Sequence, residues 1–321
     1  MKDSFGRTID YLRVSVTDRC NLRCIYCMPE GCDKVSMAQI LTYEEIERIC
    51  RIAASAGISK IKVTGGEPLV RLGCCHLIRS LKSIEGVKEV TLTTNGQILG
   101  RFLDELKDAG IDGINISLDS LKPERYSRLT GGGSLGKTLE AIDLARASGI
   151  RTKINSVLLS GVNEDEILSL AGFAFRTGLL LRFIELMPIG IADSSLGISN
   201  EKVLKLLLEK WPDLEADSTP WGNGPAVYYR RPGIRGGIGL ISAIHGKFCA
   251  GCNRIRLTSQ GQIKPCLCYE EGFDLKPYLR ESDAELEAAL KKAILMKPLE
   301  HCFPEEGFGS GEHRLMSQIG G

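Results

Sequence analysis

The feature that most constrains the fold of this chain is a regular alternation of short β-branched runs and amphipathic stretches, from residue 9 to about residue 210. The apolar runs predict strands over residues 9–16, 58–64, 87–94, 113–118, 152–159 and 179–187. Helical periodicity predicts helices over residues 43–56, 74–84, 98–109, 135–148, 164–177 and 200–210. Six successive βα units predict an α/β fold with a parallel sheet, either open and doubly wound or curled into a barrel.

Most of these predicted strands carry polar residues on one face, although buried parallel strands are usually apolar throughout. Residues two apart share a face, which gives the polar groups Arg13/Ser15/Thr17, Lys60/Lys62/Thr64, Thr91/Thr93/Asn95, Asn115/Ser117/Asp119 and Lys153/Asn155. An antiparallel sheet with one wet face would show the same alternation, but the intervening helices weigh against it. Because a closed eight-stranded barrel is filled with branched apolar side chains, we predict a wider or incomplete barrel whose polar face lines a ligand cavity.

The pattern changes at about residue 211. Trp211-Pro212, Thr219-Pro220 and residues 221–225 and 230–239 are typical of loops. A smaller cysteine-bearing region follows, then a predicted helix over residues 282–292 and a glycine-rich tail. We therefore expect two domains, residues 1–210 and residues 211–321.

Composition limits the classes of function. The 321 residues are 43% hydrophobic, and 41 Lys and Arg nearly balance 40 Asp and Glu. A net charge of +1 argues against a broad electrostatic surface for nucleic acid or membrane, although not against a local basic pocket. The sequence has no run long and apolar enough for a membrane span, and no signal-peptide pattern, so we expect a cytoplasmic protein.

Twelve cysteines are many for a chain in a reducing compartment, where disulfides rarely persist. Six of them form two groups of three, Cys20-x3-Cys24-x2-Cys27 and Cys249-x2-Cys252-x13-Cys266, called here the first and the second cysteine trio. The first trio favours an iron–sulfur cluster over a zinc site or incidental cysteines. For the second trio, taken alone, zinc and iron–sulfur are about equally favoured. No role is predicted for Cys32, Cys74, Cys75, Cys268 and Cys302.

The residues around the trios resemble known families. The segment LRVSVTDRCNLRCIYCMP, from Leu12 to Pro29, resembles the signature of radical S-adenosylmethionine enzymes, and Gly65-Gly66-Glu67-Pro68 resembles the GGEP segment of that family. The stretch CAGCNRIRLT, from Cys249, is similar to the GTP 3′,8-cyclases of molybdenum-cofactor biosynthesis, and so is the diglycine terminus Gly320-Gly321. The resemblance covers essentially the whole chain.

This resemblance implies an incomplete (β/α)6 barrel over residues 1–210, and a C-terminal domain over residues 211–321 that carries a second iron–sulfur site and binds substrate. It implies a lyase that uses two [4Fe–4S] clusters and S-adenosylmethionine. The expected reaction is cyclisation of GTP to (8S)-3′,8-cyclo-7,8-dihydroguanosine 5′-triphosphate, in which a 5′-deoxyadenosyl radical takes hydrogen from C3′ and the ribose carbon attacks C8. This is the first step of molybdenum-cofactor biosynthesis.

The resemblance also assigns roles to residues. Both trios are expected to hold the clusters, and the first trio is expected to be catalytic together with Arg254, Arg256, Gly320 and Gly321. Expected S-adenosylmethionine contacts are Tyr26, Gly66, Ser117, Met187 and, more weakly, Asn95. Expected GTP contacts are Arg13, Lys60, Lys62, Thr93, Lys153, Arg182, Arg254 and Arg256. Lys62 stands where relatives commonly have arginine, so the charge is kept but not the bidentate geometry.

Two rival functions predict different observations. A radical enzyme that modifies a peptide would share the first trio and the barrel, but would not require Arg254-x-Arg256 or a terminal diglycine. A non-catalytic zinc protein would use both trios structurally and contain no iron. A GTP-hydrolysing module is disfavoured because the sequence has no GxxxxGK[ST] phosphate loop.

The partners follow from the resemblance alone. They are the substrate GTP, an unidentified electron donor, a second copy of the chain in a homodimer, and the cyclic pyranopterin monophosphate synthase as a functional partner. No nucleic acid or membrane partner is expected. The four histidines, His76, His245, His301 and His313, have no spacing that calls for a metal or a catalytic triad, and no role is assigned to them.

Overall fold

The computed structural model describes residues 1–28, 35–304 and 311–320, except for the side chain of Ser194. All six predicted strands are present in the first part of the chain, with ends that differ from the prediction by a few residues. They are β1 (Tyr11–Ser15), β2 (Lys60–Thr64), β3 (Glu89–Thr94), β4 (Gly113–Ser117), β5 (Thr152–Val157) and β6 (Leu180–Ile184). They pair in parallel in chain order, as successive βα units require.

The helices between these strands follow the apolar periodicity of the sequence. They are α1 (Tyr43–Ser55), α2 (Cys74–Ser83), α3 (Leu103–Asp108), α4 (Pro123–Thr130), α5 (Leu135–Ala147), α6 (Ile167–Thr177) and α7 (Asn200–Lys210). The short polar helix α4 was not predicted. The predicted helices over 98–109 and 164–177 each begin instead with a 3-10 turn, Leu99–Arg101 and Glu164–Glu166. Among the described residues, none of the helices has the length and hydropathy needed to cross a membrane.

Local sequence fixes where the helices begin. Thr42 precedes α1 and forms a capping box, because its hydroxyl accepts from Glu45 N and its own N–H donates to the Glu45 carboxylate. The apolar face of the sheet, including Val14, Ile61 and Leu92, is buried beneath the helices in one hydrophobic core. Burial of each such side chain contributes about 1.5–3 kcal/mol, and it leaves the polar strand faces on the other side of the sheet.

The rest of the chain extends both edges of the same sheet. Its elements are β7 (Glu215–Asp217), β8 (Val227–Arg230), β9 (Gly237–Ile241), β10 (Arg254–Leu257), β11 (Gln262–Lys264), β12 (Phe273–Asp274), α8 (Asp283–Leu295) and α9 (Met316–Ile319). Strand β10 pairs in parallel with β1, and β9 pairs in parallel with β6. The sheet order is β12-β11-β10-β1-β2-β3-β4-β5-β6-β9-β8-β7.

The prediction that residues 230–239 form a loop is wrong at both ends, because Arg230 ends β8 and Gly237 begins β9. Gly233 has positive φ and lies in the turn between these strands, whereas the glycines within β9 reflect packing. A Cβ atom on Gly239 would lie 2.8 Å from Tyr228 Cε1 and 2.9 Å from Arg182 Cγ. Glycine is therefore required within β9 because the side chains of neighbouring strands approach its backbone closely. These glycines replace the β-branched residues by which a strand is recognised in the sequence.

The prediction of an incomplete (β/α)6 barrel is confirmed. In the described part of the chain, β12 and β7 are the outer strands of an open sheet rather than partners in a closed barrel. Strands from both sides of residue 210 belong to this sheet, and the division into residues 1–210 and 211–321 stays a prediction.

Candidate functional site

A large cavity lies against the polar face of the sheet. The eight residues predicted to contact GTP all line it: Arg13, Lys60, Lys62, Thr93, Lys153, Arg182, Arg254 and Arg256. The second cysteine trio and Met187 line the same cavity. The prediction that the polar strand faces line a cavity is therefore confirmed, because side chains from distant βα units converge there, and its use as a ligand site stays a prediction.

The cavity holds positive charges that are buried together. Burial lowers the pKa of Lys62 well below its usual value, and the charges of Arg182 and Arg13 lower it further. Burial and the same kind of repulsion lower the pKa of Lys153 to about 7. The pKa of Arg256 is also lowered well below its usual value by burial, then by Arg13 and Arg254. Such a cluster is costly until an anion neutralises it, so the cavity is suited to a multiply charged anion.

Two cations at the cavity already have carboxylate partners. Lys60 Nζ lies 2.7 Å from Asp10 Oδ2, and Arg151 pairs with Glu89. Among the described residues that line the cavity, Glu89 is the acidic one. The remaining cations exceed this negative charge, which leaves the lining strongly basic although the whole chain is nearly neutral.

The second cysteine trio is held by contacts from both ends of the chain. Arg7 Nη1 donates to the Cys249 carbonyl at 3.0 Å. Lys297 Nζ donates to the carbonyls of Arg254 at 2.8 Å and Pro265 at 2.7 Å, and so joins the two segments that carry the cysteines. Burial opposes ionisation of the Cys252 thiol, but the charges of Lys297 and Arg254 outweigh it and lower the pKa of Cys252 to about 7.

The first cysteine trio lies on the loop that follows β1. Arg23 N donates to the Thr130 carbonyl at 2.8 Å and Ile25 N to the Leu129 carbonyl at 3.0 Å, so the loop is anchored on the end of α4. Burial raises the pKa of Cys20, and it raises the pKa of Cys24 well above the usual value. The nearby carboxylates of Glu67 and Asp119 act in the same direction on Cys20 and Cys24, respectively.

The Gly65-Gly66-Glu67-Pro68 segment packs directly on this loop. Gly66 N donates to the Thr17 carbonyl at 2.7 Å, and a Cβ atom on Gly66 would lie 2.4 Å from the Arg19 carbonyl oxygen. Glycine is therefore obligatory for this close approach. The Glu67 carboxylate accepts from Asn95 N at 2.7 Å, and burial raises its pKa to about 7.

Both trios have the donor chemistry of cluster sites. The pKa of Cys24 is raised partly by the charges of Cys27 and Cys20, and that of Cys266 by those of Cys252 and Cys249. In each trio, neighbouring cysteines therefore oppose one another's ionisation, and an iron–sulfur core would stabilise the sulfurs as thiolates. Over the described residues, no group of three or more His, Cys, Asp or Glu is arranged for a single metal ion. Cys32 lies outside the described residues.

The residues predicted to contact S-adenosylmethionine lie mainly around the first trio. Asn95 Nδ2 is 3.7 Å from Cys20 Sγ, and Tyr26 donates to the Asp119 carboxylate at 2.7 Å. Burial raises the pKa of Asp119 to about 6, although the Tyr26 hydrogen bond opposes this. Ser117 ends β4 beside Asn155 of β5, which lines the cavity. Met187 lines the cavity itself.

The predicted diglycine tail reaches the end of the central strands. Gly320 is buried, and its carbonyl accepts a hydrogen bond from Arg256 Nη1. A Cβ atom on Gly320 would lie 3.0 Å from Ser15 Cβ and 3.1 Å from Thr64 Oγ1. The tail is thus packed where β1 and β2 end, beside the first trio loop. Gly321 lies outside the described residues, and its predicted catalytic role stays a prediction.

Several residues that build this site had no predicted role. Lys297 is far along the chain from the trio that it supports. Glu67 belongs to the segment that resembles GGEP and Asp119 to a polar strand face, but neither pattern indicated what the carboxylate contacts. Asn115 and Asn155 line the cavity as the alternation predicted, but no role followed from it. A lysine followed by proline, as at Lys297-Pro298, is too common to indicate a site.

Comparison with known families covers the chain in two adjoining parts. Residues 14–174 match the Radical SAM superfamily, and residues 179–303 match the family described as Molybdenum Cofactor Synthesis C. A curated protein of Heliobacterium modesticaldum named GTP 3′,8-cyclase is 45% identical over 328 residues, and another of that name from Alkaliphilus metalliredigens is 45% identical over 326 residues. Both comparisons cover 100% of each chain.

Solved structures support the fold at much lower identity. Streptococcus suis SuiB bound to S-adenosylmethionine superposes with a TM-score of 0.66 at 14% identity, covering 90% of this chain and 68% of that chain. The protein anSMEcpe with bound AdoMet superposes with a TM-score of 0.62 at 16% identity, covering 86% of this chain and 79% of that chain. At these identities the likeness establishes the fold alone.

Proposed function

Because this chain belongs to the GTP 3′,8-cyclase family of radical S-adenosylmethionine enzymes, we propose how its own residues serve the cyclisation of GTP to (8S)-3′,8-cyclo-7,8-dihydroguanosine 5′-triphosphate. The enzyme acts at the first step of molybdenum-cofactor biosynthesis and uses S-adenosylmethionine with two [4Fe–4S] clusters. The observation that carries the residue-level proposal is a single cavity in which a cluster of buried cations lies beside the second cysteine trio.

The cations of the cavity bind the triphosphate. Arg13, Lys62, Lys153 and Arg182 come from four different strands, and the pKa of each is lowered by burial. A triphosphate would restore full protonation of the lysines and neutralise the repulsion among these groups. Thr93 and Lys60 line the same wall and complete the polar surround.

The second trio is proposed to hold one cluster and to face the guanine. Arg254 and Arg256 alternate on β10 and line the cavity beside Cys249 and Cys252. Phe248 packs under the Arg254 guanidinium, with Cζ 4.7 Å from the ring centroid. This wall combines an aromatic surface with fixed hydrogen-bond donors, which is the combination that holds a purine in one orientation.

The first trio is proposed to hold the other cluster and to bind the coenzyme. A cluster bound there supplies the electron for reductive cleavage of S-adenosylmethionine. The loop that carries the first trio is anchored to α4, and Tyr26 donates a hydrogen bond to Asp119. Gly66 permits close contact between this loop and the Gly65-Gly66-Glu67-Pro68 segment. Ser117 and Met187 are proposed to contact the coenzyme at the border of the GTP cavity, and Asn95 beside Cys20 is the weaker candidate.

The tail is proposed to complete the site. Gly320 receives a hydrogen bond from Arg256, one of the proposed GTP ligands, and packs on Ser15 and Thr64. In this position it can hold Arg256 in place and exclude water from the reacting atoms. Gly321 is proposed to share this role.

We further propose a cytoplasmic homodimer that receives electrons from a separate donor. All the cysteines that the structure describes are free thiols, as cluster ligands require, and a reducing compartment keeps them so. The cyclic pyranopterin monophosphate synthase is the proposed functional partner that consumes the product. Sedimentation of the anaerobic protein tests the dimer, and co-sedimentation with the synthase tests for direct contact.

An anaerobic incubation with GTP, S-adenosylmethionine and a strong chemical reductant tests the proposal. We expect equal amounts of 5′-deoxyadenosine and cyclised GTP, and we expect the variant Arg256→Leu to yield much less of the cyclised product. Cleavage of S-adenosylmethionine that GTP does not stimulate would point to another substrate. The exposed-surface variant Lys107→Ala serves as the control for the effect of substitution.

A further inference from the structure

A buried ion pair lies close to the second cysteine trio and has no part in the proposed chemistry. Lys264 of β11 pairs with Glu312, which follows it by 48 residues along the chain, and both side chains are 0% exposed. A buried ion pair is costly because both groups lose their hydration, and apolar residues in its place often stabilise a fold equally well. Such a pair therefore indicates a position that it fixes rather than a gain in stability.

The ion pair holds the beginning of the C-terminal segment, residues 311–320, on β11. The Glu312 carboxylate also accepts from the backbone N–H and from Nε of Arg314, each at 2.9 Å. Arg314 in turn donates to the side chain of Gln262. Gln262 and Lys264 are two residues apart, so they lie on the same face of β11. Two residues of the C-terminal segment thus dock on two neighbouring side chains of one strand.

The C-terminal segment also packs on the chain that follows β6. Gly190 N donates to the Glu312 carbonyl at 3.3 Å, and a Cβ atom on Gly190 would lie 3.1 Å from the Arg314 carbonyl oxygen. Further along, the side chain of Ile319 is buried with Ile189 in a small apolar cluster. The segment is therefore held at several points between its anchor on β11 and its end.

Both ends of the C-terminal segment meet one cross-strand pair of residues. Arg256 of β10 and Lys264 of β11 are directly opposite in the antiparallel ladder, where Cβ atoms are about 4.5–5.5 Å apart. Arg256 donates to the Gly320 carbonyl, and Lys264 holds Glu312. Both cations line the cavity. Strand pairing therefore sets the distance between the anchor and the end of the tail, and the anchor lies beside a proposed GTP ligand.

We propose that Glu312 is a positioning residue, whose ion pair with Lys264 clamps the C-terminal segment on β11 so that Gly320 meets Arg256. Without this clamp, Arg256 loses the carbonyl that orients its guanidinium group. Glu312 thus acts on cyclisation through the tail rather than on the substrate itself. This inference deepens the proposed function, because it rests on the role proposed there for Gly320.

Hydrogen–deuterium exchange of the anaerobic, cluster-loaded protein tests the clamp without turnover. In Glu312→Gln, we expect the amides of residues 311–320 to exchange about tenfold faster or more, because opening of the segment no longer breaks an ion pair. Exchange in β1, β2 and β3 should match that of wild type. Glu287→Gln, which removes the carboxylate partner of Lys291 from a partly exposed ion pair, is the matched control and should leave residues 311–320 unchanged.

The rate of cyclisation at saturating GTP and S-adenosylmethionine tests the consequence of the clamp. We expect Glu312→Gln to lower this rate about tenfold or more, while its affinity for GTP stays within about threefold of wild type. Arg314→Gln, at a partly exposed residue, should cause a smaller loss in the same direction. Combined with Gly320→Ala, Glu312→Gln should lower the rate little further, because both changes act through the same tail.

Three results would overturn the role of Glu312. The first is faster exchange in β1, β2 and β3 as well, or a full additional loss of rate when Glu312→Gln is combined with Gly320→Ala, since either would make the ion pair a general structural element. The second is unchanged exchange of residues 311–320 in both Glu312→Gln and Arg314→Gln. The third is tighter binding of GTP by Glu312→Gln, which would make Lys264 a substrate ligand that the ion pair withholds.

Failure of the proposed function gives a different pattern. If wild type forms no cyclised GTP, or if Gly320→Ala forms it as fast as wild type, the role proposed for the tail is wrong. Hydrogen–deuterium exchange still decides in that case whether Glu312 clamps the C-terminal segment. If Glu312→Gln does not fold, Arg314→Gln is judged by the same exchange and rate criteria.

Discussion

The two cysteine trios offer the same three sulfur donors in different electrostatic surroundings. Around the first trio, burial and the carboxylates of Glu67 and Asp119 raise the pKa of Cys20 and Cys24. Around the second, Lys297 and Arg254 overcome burial and lower the pKa of Cys252 to about 7, whereas burial raises the pKa of Cys266. The coenzyme proposed for the first trio carries a sulfonium cation, and the substrate proposed for the second carries a triphosphate. The difference between the two surroundings matches the charges of the two proposed ligands.

The most severe test of this comparison is to remove one cysteine from each trio in turn. We expect Cys24→Ser and Cys252→Ser each to lose about half of the iron and to form no detectable cyclised GTP. Only Cys252→Ser should still cleave S-adenosylmethionine, because the first trio remains complete. Iron analysis and 5′-deoxyadenosine assays measure the two effects. Cys302→Ser is the control and should keep both clusters. If Cys252→Ser retained all its iron, the second trio would not be a cluster site.

Gly320 contacts Arg256 of the basic cavity and the ends of β1 and β2, so removal of the tail should be nearly as damaging. Deletion of Gly320 and Gly321 is expected to abolish cyclisation while both clusters remain. Gly320→Ala should lower cyclisation about 100-fold, because a φ of +86° is strained for alanine and a Cβ atom would crowd Ser15 Cβ at 3.0 Å and Thr64 Oγ1 at 3.1 Å, so these neighbours must shift. Gly311→Ala is the matched control, since its nearest contact would be 3.8 Å from the Cys268 carbonyl oxygen. Full activity of the deletion variant would contradict this role.

Removing one charge from the basic cavity tests whether the two proposed ligand sites are electrostatically separate. Lys62→Met should weaken GTP binding about tenfold or more, because the triphosphate loses a buried cation. Lys62→Arg should bind GTP at least as well as wild type, as the charge is kept. Binding of S-adenosylmethionine should be the same in both variants. An equal loss of affinity for both ligands in Lys62→Met would show that the two sites are not electrostatically separate.

The basic cavity also predicts how GTP binding depends on pH. The pKa of Lys153 is about 7 in the free cavity, and a bound triphosphate raises it. Above pH 7, binding must therefore take up a proton, so affinity falls as pH rises, by up to about tenfold per pH unit. Below pH 7 this lysine is already protonated, and its contribution is constant. The groups that face Lys153 are Arg151, Arg182, Lys62, Glu89, Tyr228 and the Trp221 carbonyl.

Calorimetric titration in buffers of different ionisation enthalpy measures this proton uptake. Lys153→Met should bind GTP more weakly and with a shallower pH dependence between pH 7 and 9. An unchanged pH dependence in that variant would assign the proton to another group.

The smallest effect on ligand affinity is expected beside the first cysteine trio, where S-adenosylmethionine is proposed to bind. Tyr26→Phe removes a single hydrogen bond to Asp119 of 2.7 Å, which contributes about 1 kcal/mol. Affinity for S-adenosylmethionine should fall by about fivefold or less, and GTP affinity should not change. Tyr43→Phe, which removes a hydroxyl bonded to the Arg71 carbonyl, is the control. A larger effect on GTP than on the coenzyme would reverse the assignment of the two sites.

Much of the fold, and the main residues that line the cavity, could be predicted from the sequence. Alternation with period two predicted that Lys60, Lys62 and Lys153 lie on one sheet face, because backbone geometry alone determines this. The order of the βα units then brought them to one cavity. Strand β9 could not be predicted, since Gly237 and Gly239 are selected by contacts from Tyr228, Arg230 and Arg182 that do not exist until the chain is folded.

The surroundings of the trios were also beyond prediction. Lys297 reaches Cys252 only because α8 returns the chain to the second trio, and no local spacing records that approach. His301 is a similar case, because a lone histidine has no sequence pattern that separates a residue lining a cavity from a surface residue. Long-range contacts of this kind depend on tertiary structure, whereas motif residues such as Cys20 and Gly66 depend on their neighbours in sequence.

Mössbauer spectroscopy of the anaerobic, ⁵⁷Fe-enriched protein, with and without GTP, tests the division between the two trios most directly. We expect two four-iron clusters per chain. GTP should change the spectrum of the second-trio cluster alone, which is the cluster that Cys252→Ser lacks. Fewer than two clusters, or a GTP effect on the cluster that remains in Cys252→Ser, would contradict that division.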